Sequence, residues 1–407
     1  MQKAVTTDVP GVAQPAAGLA FPVLLGLSLA HLLNDMMQSL VPSIYPLIKG
    51  AYKLDFSQIG FITFTFQLTA CLFQPLVGII TDKRPLPYSL VCGMAFTLIG
   101  LIVLGRAGNY PMLLMGAALV GTGSAIFHPE ATRMARLASG GQHGLAQSLF
   151  QVGGQAGGAL GPLIAAFIVV PQGQHSLVWM SAAALLAMAV LWQVCRWYVK
   201  QPRSAPRSKT SAQAAASAPG HNVALAVAIL VILMFSKNAY TASFNSFYTF
   251  YLIDQFHVSV QTSQMMLFVF LGATALGTLV GGPMGDRIGR RRIIWFSILG
   301  ALPFTLLLPH VNLMWTGILT VVISLIMASA FGAILVYAME LLPGRIGLIA
   351  GLFYGLSFGL GGISAAMLGY LADHSGIAIV FQACAFLPAV GLLAYALPEI
   401  RSHYVKA

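Results

Sequence analysis

Apolar runs of roughly twenty residues recur along the whole chain, and short polar turns separate them. A helix needs about 20 mainly apolar residues to cross the hydrocarbon layer. Runs of that kind lie near 21–48, 57–80, 88–107, 110–137, 143–170 and 175–197. After a break they resume near 222–253, 260–283, 293–309, 312–341, 345–372 and 376–398. The pattern predicts an all-α membrane protein of twelve spans, six on each side of the break. The break, Gln201 to Gly220, is rich in Ser, Ala and Pro with scattered cations and reads as a linker. The expected organisation is a six-helix bundle with its tail over 1–200, a cytoplasmic linker over 201–221 and a second six-helix bundle over 222–407.

The halves also repeat in their polar turns. Gly282-Pro283-Met284-Gly285-Asp286-Arg287-Ile288-Gly289-Arg290-Arg291-Arg292 has a weaker copy half the chain earlier, Gly78-Ile79-Ile80-Thr81-Asp82-Lys83-Arg84-Pro85. A half-length period means two similar units. The later copy resembles the loop signature of the major facilitator superfamily, which joins the second and third helices of each six-helix half. That resemblance implies two pseudo-symmetric bundles around a central cavity. Gly141 to Phe150 likewise aligns with Gly344 to Phe353, and both stretches open a glycine-heavy helix. Gly153, Gly157 and Gly161 in the fifth span, and Gly347, Gly351, Gly355 and Gly359 in the eleventh, recur every four residues and so share one face. Such a stripe suits static close packing, and equally a sliding interface for alternating access. Gly157 to Pro162 partly resembles the fifth-helix motif of the superfamily's proton-coupled drug antiporters. Ala165-Ala166 stand where a glycine pair is usual, and Ala117 stands where their fourth-helix arginine falls.

Composition narrows the function classes. Charged residues are 8% of the chain and mean hydropathy is +0.83, against about 25% charged residues in soluble domains. That overrides the two or three soluble domains the length would otherwise suggest. The net charge of +11 has a topological explanation. With both termini cytoplasmic, Arg84, Arg133, Arg136, Arg196, Arg203, Arg287 and Arg290 to Arg292 fall inside, and only Lys49, Lys53 and Arg106 fall outside. The inner cations also suit anionic lipid. No aromatic-basic motif supports nucleic-acid binding. No Walker-type phosphate loop, nucleophile elbow or metal-ligand cluster appears, so no cofactor, no metal and no enzymatic reaction are expected. Cys71, Cys92, Cys195 and Cys384 all sit in apolar segments and read as packing residues.

Polar residues at membrane depth are costly, about 2.5–3.5 kcal/mol for a central charge on insertion scales, so the few present mark function. His31, Asn34 and Asp35 share one face of the first helix. Lys237, Asn238, Tyr240, Asn245, Tyr248 and Tyr251 make the seventh helix polar and aromatic, and the offset that matches Tyr45 with Tyr251 carries His31 onto Lys237. Two matched cations suit an anionic ligand; a structural ion pair between Lys237 and Asp35 is the other reading. His128-Pro129-Glu130 in the fourth helix offers a kink and a deep carboxyl, with Arg133 one turn on. Glu130 is a candidate proton carrier or part of an end-of-helix salt-bridge cluster. Asp35, Glu130 and His31 are the candidates for proton coupling. Gln147, Gln151 and Gln155 form an amide stripe that is either cavity donors or interhelical glue. His31, Asn34, His128, Gln151, Gln155, Lys237, Tyr240, Asn245 and Tyr248 are the candidate substrate contacts. Asp82, Arg133, Arg136, Asp286, Arg287, Arg290, Glu340 and Arg345 are the candidate gating charges.

Longer runs carry a closer resemblance. His31-Leu32-Leu33-Asn34-Asp35-Met36, Phe127-His128-Pro129-Glu130, Ala146-Gln147-Ser148-Leu149-Phe150-Gln151-Val152-Gly153-Gly154 and Glu340-Leu341-Leu342-Pro343-Gly344-Arg345-Ile346-Gly347 resemble the fosmidomycin resistance protein family. The resemblance covers nearly the whole chain except the tail and the linker. It implies export of a small phosphonate antibiotic from bacterial cells by proton antiport, from a monomer in the inner membrane. Its partners would be the anionic substrate, protons and membrane lipids. An importer or exchanger of a small organic anion or sugar phosphate, or a ligand sensor on a carrier scaffold, would share much of this sequence pattern.

Overall fold

The computed structural model describes residues 19–83, 86–140, 142–201, 223–341 and 346–398. Arg345 and the side chains of Asp82, Asp286, Arg287 and Glu340 lie outside the described part. Eleven helical stretches among the described residues are long and apolar enough to cross a membrane. A twelfth, α1 (Phe21–Ser43), has the length but carries His31, Asn34, Asp35 and Gln38 in its middle. The predicted first span breaks at Ile44, past Pro42, and a short helix Tyr45–Tyr52 follows. The other main helices of the first half are α2 (Phe56–Lys83), α3 (Ser89–Arg106), α4 (Tyr110–Ala138), α5 (His143–Ile164) and α6 (Ser181–Val199). Those of the second half are α7 (Val223–Phe256), α8 (Val260–Ile288), α9 (Arg290–Leu299), α10 (Leu313–Ala328), α11 (Ile346–Ser375) and α12 (Ile377–Ala385). The fold is the all-α, two-bundle architecture that the pattern predicted.

Several spans change helix type where proline or serine interrupts them. α5 loosens into a π-helical turn, Ala165–Val169, just beyond Pro162, which offers no N–H to the ladder. α10 stops at Ser329 and resumes as Ala330–Leu341; Ser329 there exchanges a short hydroxyl contact with Ser297 of α9. α4 and α10 start alike. The side chains of Asn109 and Asn312 accept from the N–H of Met112 at 3.0 Å and of Trp315 at 3.1 Å. Each satisfies one amide that a helix start would otherwise leave bare.

The cores show how the halves meet. One cluster of buried side chains draws on both halves: Tyr45, Ile59 and Ile62 from the first pack with Phe244, Phe247, Tyr251, Phe270 and Phe381 from the second. Toward the other end each half keeps its own cluster, built around Phe127 and Phe150 in one and Tyr337 and Phe353 in the other. Among the described residues, the buried core is therefore shared at one end and divided toward the other.

Polar contacts reinforce the joined end. Gln264 of α8 donates to the Ser43 carbonyl at 2.6 Å, and Thr63 of α2 meets Ser246 of α7 at 3.0 Å and Tyr45 at 2.8 Å. Asp373, near the end of α11, caps the start of α2 across the divide. Its carboxylate accepts from the N–H of Phe56 at 2.7 Å, the N–H of Ser57 at 2.8 Å and the Ser57 hydroxyl at 2.5 Å. The first amides of a helix have no partner within it and carry partial positive charge. From this cap α2 and α11 run in close contact: a Cβ on Gly60 would strike the Ala365 carbonyl, and one on Gly369 the Phe56 carbonyl.

Removing this cap tests whether it holds the end shut. Asp373→Ala should shift the population toward opening there several-fold, worth about 1 kcal/mol for lost hydrogen bonds at an exposed site. Distances between spin labels at Lys53 and His374 report it; an unchanged distribution would rule the cap out as a latch.

Candidate functional site

Two adjoining cavities lie between the halves, beyond the joined end. Along α7 the closure is made by Ser246 to Tyr251, whereas cavity residues are Lys237, Tyr240 and Thr241. One cavity, about 500 Å³, is lined mainly by the first half, including His31, Asp35, Gln74, His128, Gln147 and Phe150. The other, about 360 Å³, is lined by Lys237, Tyr240, Thr241, Thr274, Thr278 and Ser324 among others. Gln151, Gln155 and Phe358 line both. The amide stripe of α5 thus stands where the two lobes join.

The first lobe is built on the contact between α1 and α5. A backbone carbonyl points along its helix toward the residue four positions on. Where that residue is glycine, a neighbouring helix can reach the oxygen. Gly153 and Gly154 expose the carbonyls of Leu149 and Phe150 in this way. Ser28 donates to the first at 2.7 Å, and the His31 ring donates from Nδ1 to the second at 2.8 Å. A Cβ on Gly154 would collide with the His31 imidazole, one on Gly157 with the Leu32 carbonyl, and one on Gly161 with Ser39. The α5 stripe is therefore packing within one half. The described glycines of α11 behave differently: Gly355 and Gly359 face Cys71 of α2, and Cys71 donates to the Gly355 carbonyl at 2.9 Å. They lie at the interface between halves.

His31, stacked on Phe150 at 4.0 Å, turns Nε2 toward Asp35 Oδ2 at 3.3 Å. His128 arrives from α4 and places its Nε2 3.4 Å from Asp35 Oδ1. Its Nδ1 donates to the Ser124 carbonyl at 3.0 Å. Asn34 adds a donor to Asp35 Oδ1 at 3.0 Å. The ring nitrogens and carboxylate oxygens of His31, Asp35 and His128 lie within 4.8 Å of one another, the one such group of three among the described residues. In both rings Nδ1 meets a backbone carbonyl and Nε2 faces the same carboxylate.

The structure divides the remaining candidates. Glu130 lines neither lobe. It is buried inside the first half, accepting from Arg133 at 2.8 Å and from Ser89 at 3.4 Å. Arg133 also donates to the Thr81 carbonyl at 3.0 Å and to Tyr198 at 3.2 Å, so this pair ties α2, α3, α4 and α6 together. Helical periodicity holds the reason: successive residues turn by 100°, so His128 and Glu130 point to nearly opposite faces. Lys237 and Tyr240 line the second lobe. Asn245 follows Lys237 and Thr241 along the same stripe, two turns closer to the joined end, and lines neither lobe. Tyr248 is buried against α10, its hydroxyl 2.8 Å from Thr320. Asn34 supports Asp35 from behind without lining either lobe. Arg136 is exposed and Arg290 half-buried. Thr274, Thr278, Ser324 and Ser357 are cavity residues that the sequence reading passed over, because single hydroxyls in apolar helices look like ordinary backbone-bonded positions.

Comparison with known proteins places these features. The sequence pattern of the Major Facilitator Superfamily matches residues 27–252 and again 229–406. The fosmidomycin resistance protein of Escherichia coli (strain K12) is 55% identical over 95% of this chain and 98% of its own length. An uncharacterized MFS-type transporter of Bacillus subtilis (strain 168), YfnC, is 39% identical over 93% of each chain. A bacterial homologue of the human lysosomal transporter Spinster, solved in an inward-facing and occupied conformation, superposes with a TM-score of 0.79. It is 15% identical and the match covers 92% of this chain and 97% of that one, so the likeness concerns the fold.

The glycine contacts supply a test of the packing. Gly157→Ala should lower the melting temperature in detergent, as overpacking by about 1–3 kcal/mol would. Gly158→Ala, where an added Cβ meets nothing within 4 Å, should leave it unchanged. Equal behaviour of the two would contradict the account of α1 on α5.

Proposed function

The chain belongs to the fosmidomycin resistance protein family of the major facilitator superfamily, and on that premise we propose that it is a proton-coupled efflux antiporter for small anionic antibiotics of the phosphonate type. It is a multi-pass membrane transport protein, not an enzyme. The observation that carries the finer reading is the pairing of two unlike lobes: Lys237 among hydroxyls in one, and His31, Asp35 and His128 in the other, with Gln151 and Gln155 shared. An anion removed from water needs both counter-charge and hydrogen bonds. The Lys237 lobe supplies a cation and donors, and the shared amides extend them. The carboxylate of Asp35, flanked by rings, suits proton exchange better than anion binding.

Coupling follows from competition. With the joined end on the outside, as charge distribution along the loops supports, the cavities face the cytoplasm. Substrate enters there and settles on Lys237 while protons leave the His–Asp lobe. Closure of the divided end, with Asp82, Arg136, Asp286, Arg287, Arg290, Glu340 and Arg345 as gate charges, then opens the other. Asp35 and His31 take up protons from outside as the drug leaves. A negative-inside potential is worth about 2.3 kcal/mol per charge per 100 mV. Expelling an anion while admitting a proton moves both charges favourably. The same proposal includes residues 201–221 as the linker between halves, cytoplasmic termini, an inner-membrane location and a monomer without cofactor.

Two measurements in proteoliposomes test this reading. Asp35→Asn should insert normally yet abolish fosmidomycin-dependent proton flux; normal flux would remove Asp35 from the coupling site. Lys237→Ala should weaken phosphonate binding by about 2 kcal/mol, the low end for deleting one partner of a buried charge pair. A neutral isostere should bind both proteins alike, and equal weakening of both ligands would make Lys237 structural.

A further inference from the structure

Proton bookkeeping in the first lobe goes further than one acid. A carbonyl oxygen only accepts, so the 2.8 Å contact of His31 Nδ1 with the Phe150 carbonyl calls for a hydrogen on that Nδ1, and the 3.0 Å contact of His128 Nδ1 with the Ser124 carbonyl favours one there as well, with the Ser124 hydroxyl 3.2 Å from the same nitrogen. Neutral imidazole carries a single N–H. When either ring is neutral, its Nε2 is therefore a bare lone pair. Both Nε2 atoms face Asp35, one per oxygen, at 3.3 and 3.4 Å. A bare nitrogen against a carboxylate oxygen is lone pair against lone pair. Each contact becomes a hydrogen bond only when a proton lies in it, on the ring or on the carboxyl. One carboxyl proton can serve one oxygen, so two contacts call for two protons.

We propose that His31, Asp35 and His128 form a two-proton site, in which His128 carries the second exchanged proton. In the empty site both rings are neutral with bare Nε2 atoms, and loading adds one proton to each ring–carboxylate contact. The three groups are not equivalent in access. The His31 side chain is 4% exposed, whereas those of His128 and Asp35 are 24% and 26% exposed. Protons enter from the cavity at His128 and Asp35 and pass to the sealed His31 contact through the carboxylate. The groups facing the cluster from other elements do not titrate in this range: Asn34 on α1, Ser124 and Thr132 on α4, Gln147, Gln151 and Gln155 on α5, Gln74 on α2 and Phe358 on α11. Glu130, two residues from His128, is turned away and paired with Arg133. The three groups therefore count protons without interference from a fourth.

The inference deepens the antiport reading, and its tests separate the two. EDTA is present throughout, so that a bound metal ion does not stand in for a proton. In the first test, the purified wild-type protein with 15N-labelled histidine is titrated. His31 and His128 signals, assigned by difference from His31→Gln and His128→Gln, should show the Nδ1–H tautomer in alkali and gain a proton each on acidification. An Nε2–H tautomer at either ring, or a His128 ring that gains no proton, would overturn the proposal. In the second, the fosmidomycin gradient that just balances a set pH gradient in proteoliposomes gives protons per drug. Two are expected for the wild type and one for His128→Gln. A wild-type value of one, or an unchanged value in His128→Gln, would also overturn it. Should fosmidomycin drive no flux while both rings titrate as described, the substrate assignment fails and the two-proton site stands. Should His128→Gln not fold, signals assigned from His31→Gln and the wild-type drug ratio decide.

Discussion

Inside a bilayer, a polar group that leaves water finds no replacement partner in the surrounding hydrocarbon, and the free-energy cost of leaving it unpaired is several kcal/mol. The polar residues in the middle of α1 show that constraint at work. Ser28 and His31 can sit in the middle of α1 because α5 presents two backbone carbonyls to them. Those carbonyls are reachable because Gly153 and Gly154 lack side chains. His31 in turn positions Asp35, and Asp35 meets His128 from α4. A single glycine-lined helix contact thus supports the acid, both rings and one wall of the cavity.

The two glycine stripes look like copies in the sequence, yet they act on different interfaces. That of α5 fastens two helices of one half, and the described part of that of α11 packs against α2 of the other half. A carrier that rocks needs both kinds of contact: rigid halves, and a surface along which they part. The shared aromatic core and the Asp373 cap close one end, while separate cores keep the halves distinct at the other. The cavity forms where the shared core stops. Its second lobe takes Lys237 from α7, and the tighter packing about two to three turns along the same helix excludes Asn245 and Tyr248.

Buried charge is handled in two ways within the first half. Arg133 and Glu130 pair with each other and bond to three neighbouring helices, which leaves little freedom and suits a brace. Asp35 has two rings and an amide around it and partial access to the cavity, which suits exchange. The two carboxyls lie in neighbouring helices of the same bundle; the difference in role follows from what faces them.

Much of this was legible in the sequence, because spans in lipid must be long and apolar and turns between them must be polar. The twelve-span count, the half-length repeat, the polar face of α1 and the family resemblance all rest on local pattern. The i, i+4 pairing of His31 with Asp35 is likewise a property of one helix. Helix periodicity could also have turned Glu130 away from His128, had the two been read as facing opposite ways. What periodicity within one helix cannot supply is which helix lies opposite. His128 reaches Asp35 across two helices that are distant in the chain, Cys71 meets Gly355 across the two halves, and Asp373 caps a helix that begins more than three hundred residues earlier. Those contacts depend on how rigid helices pack in three dimensions. Only the tertiary structure decided them.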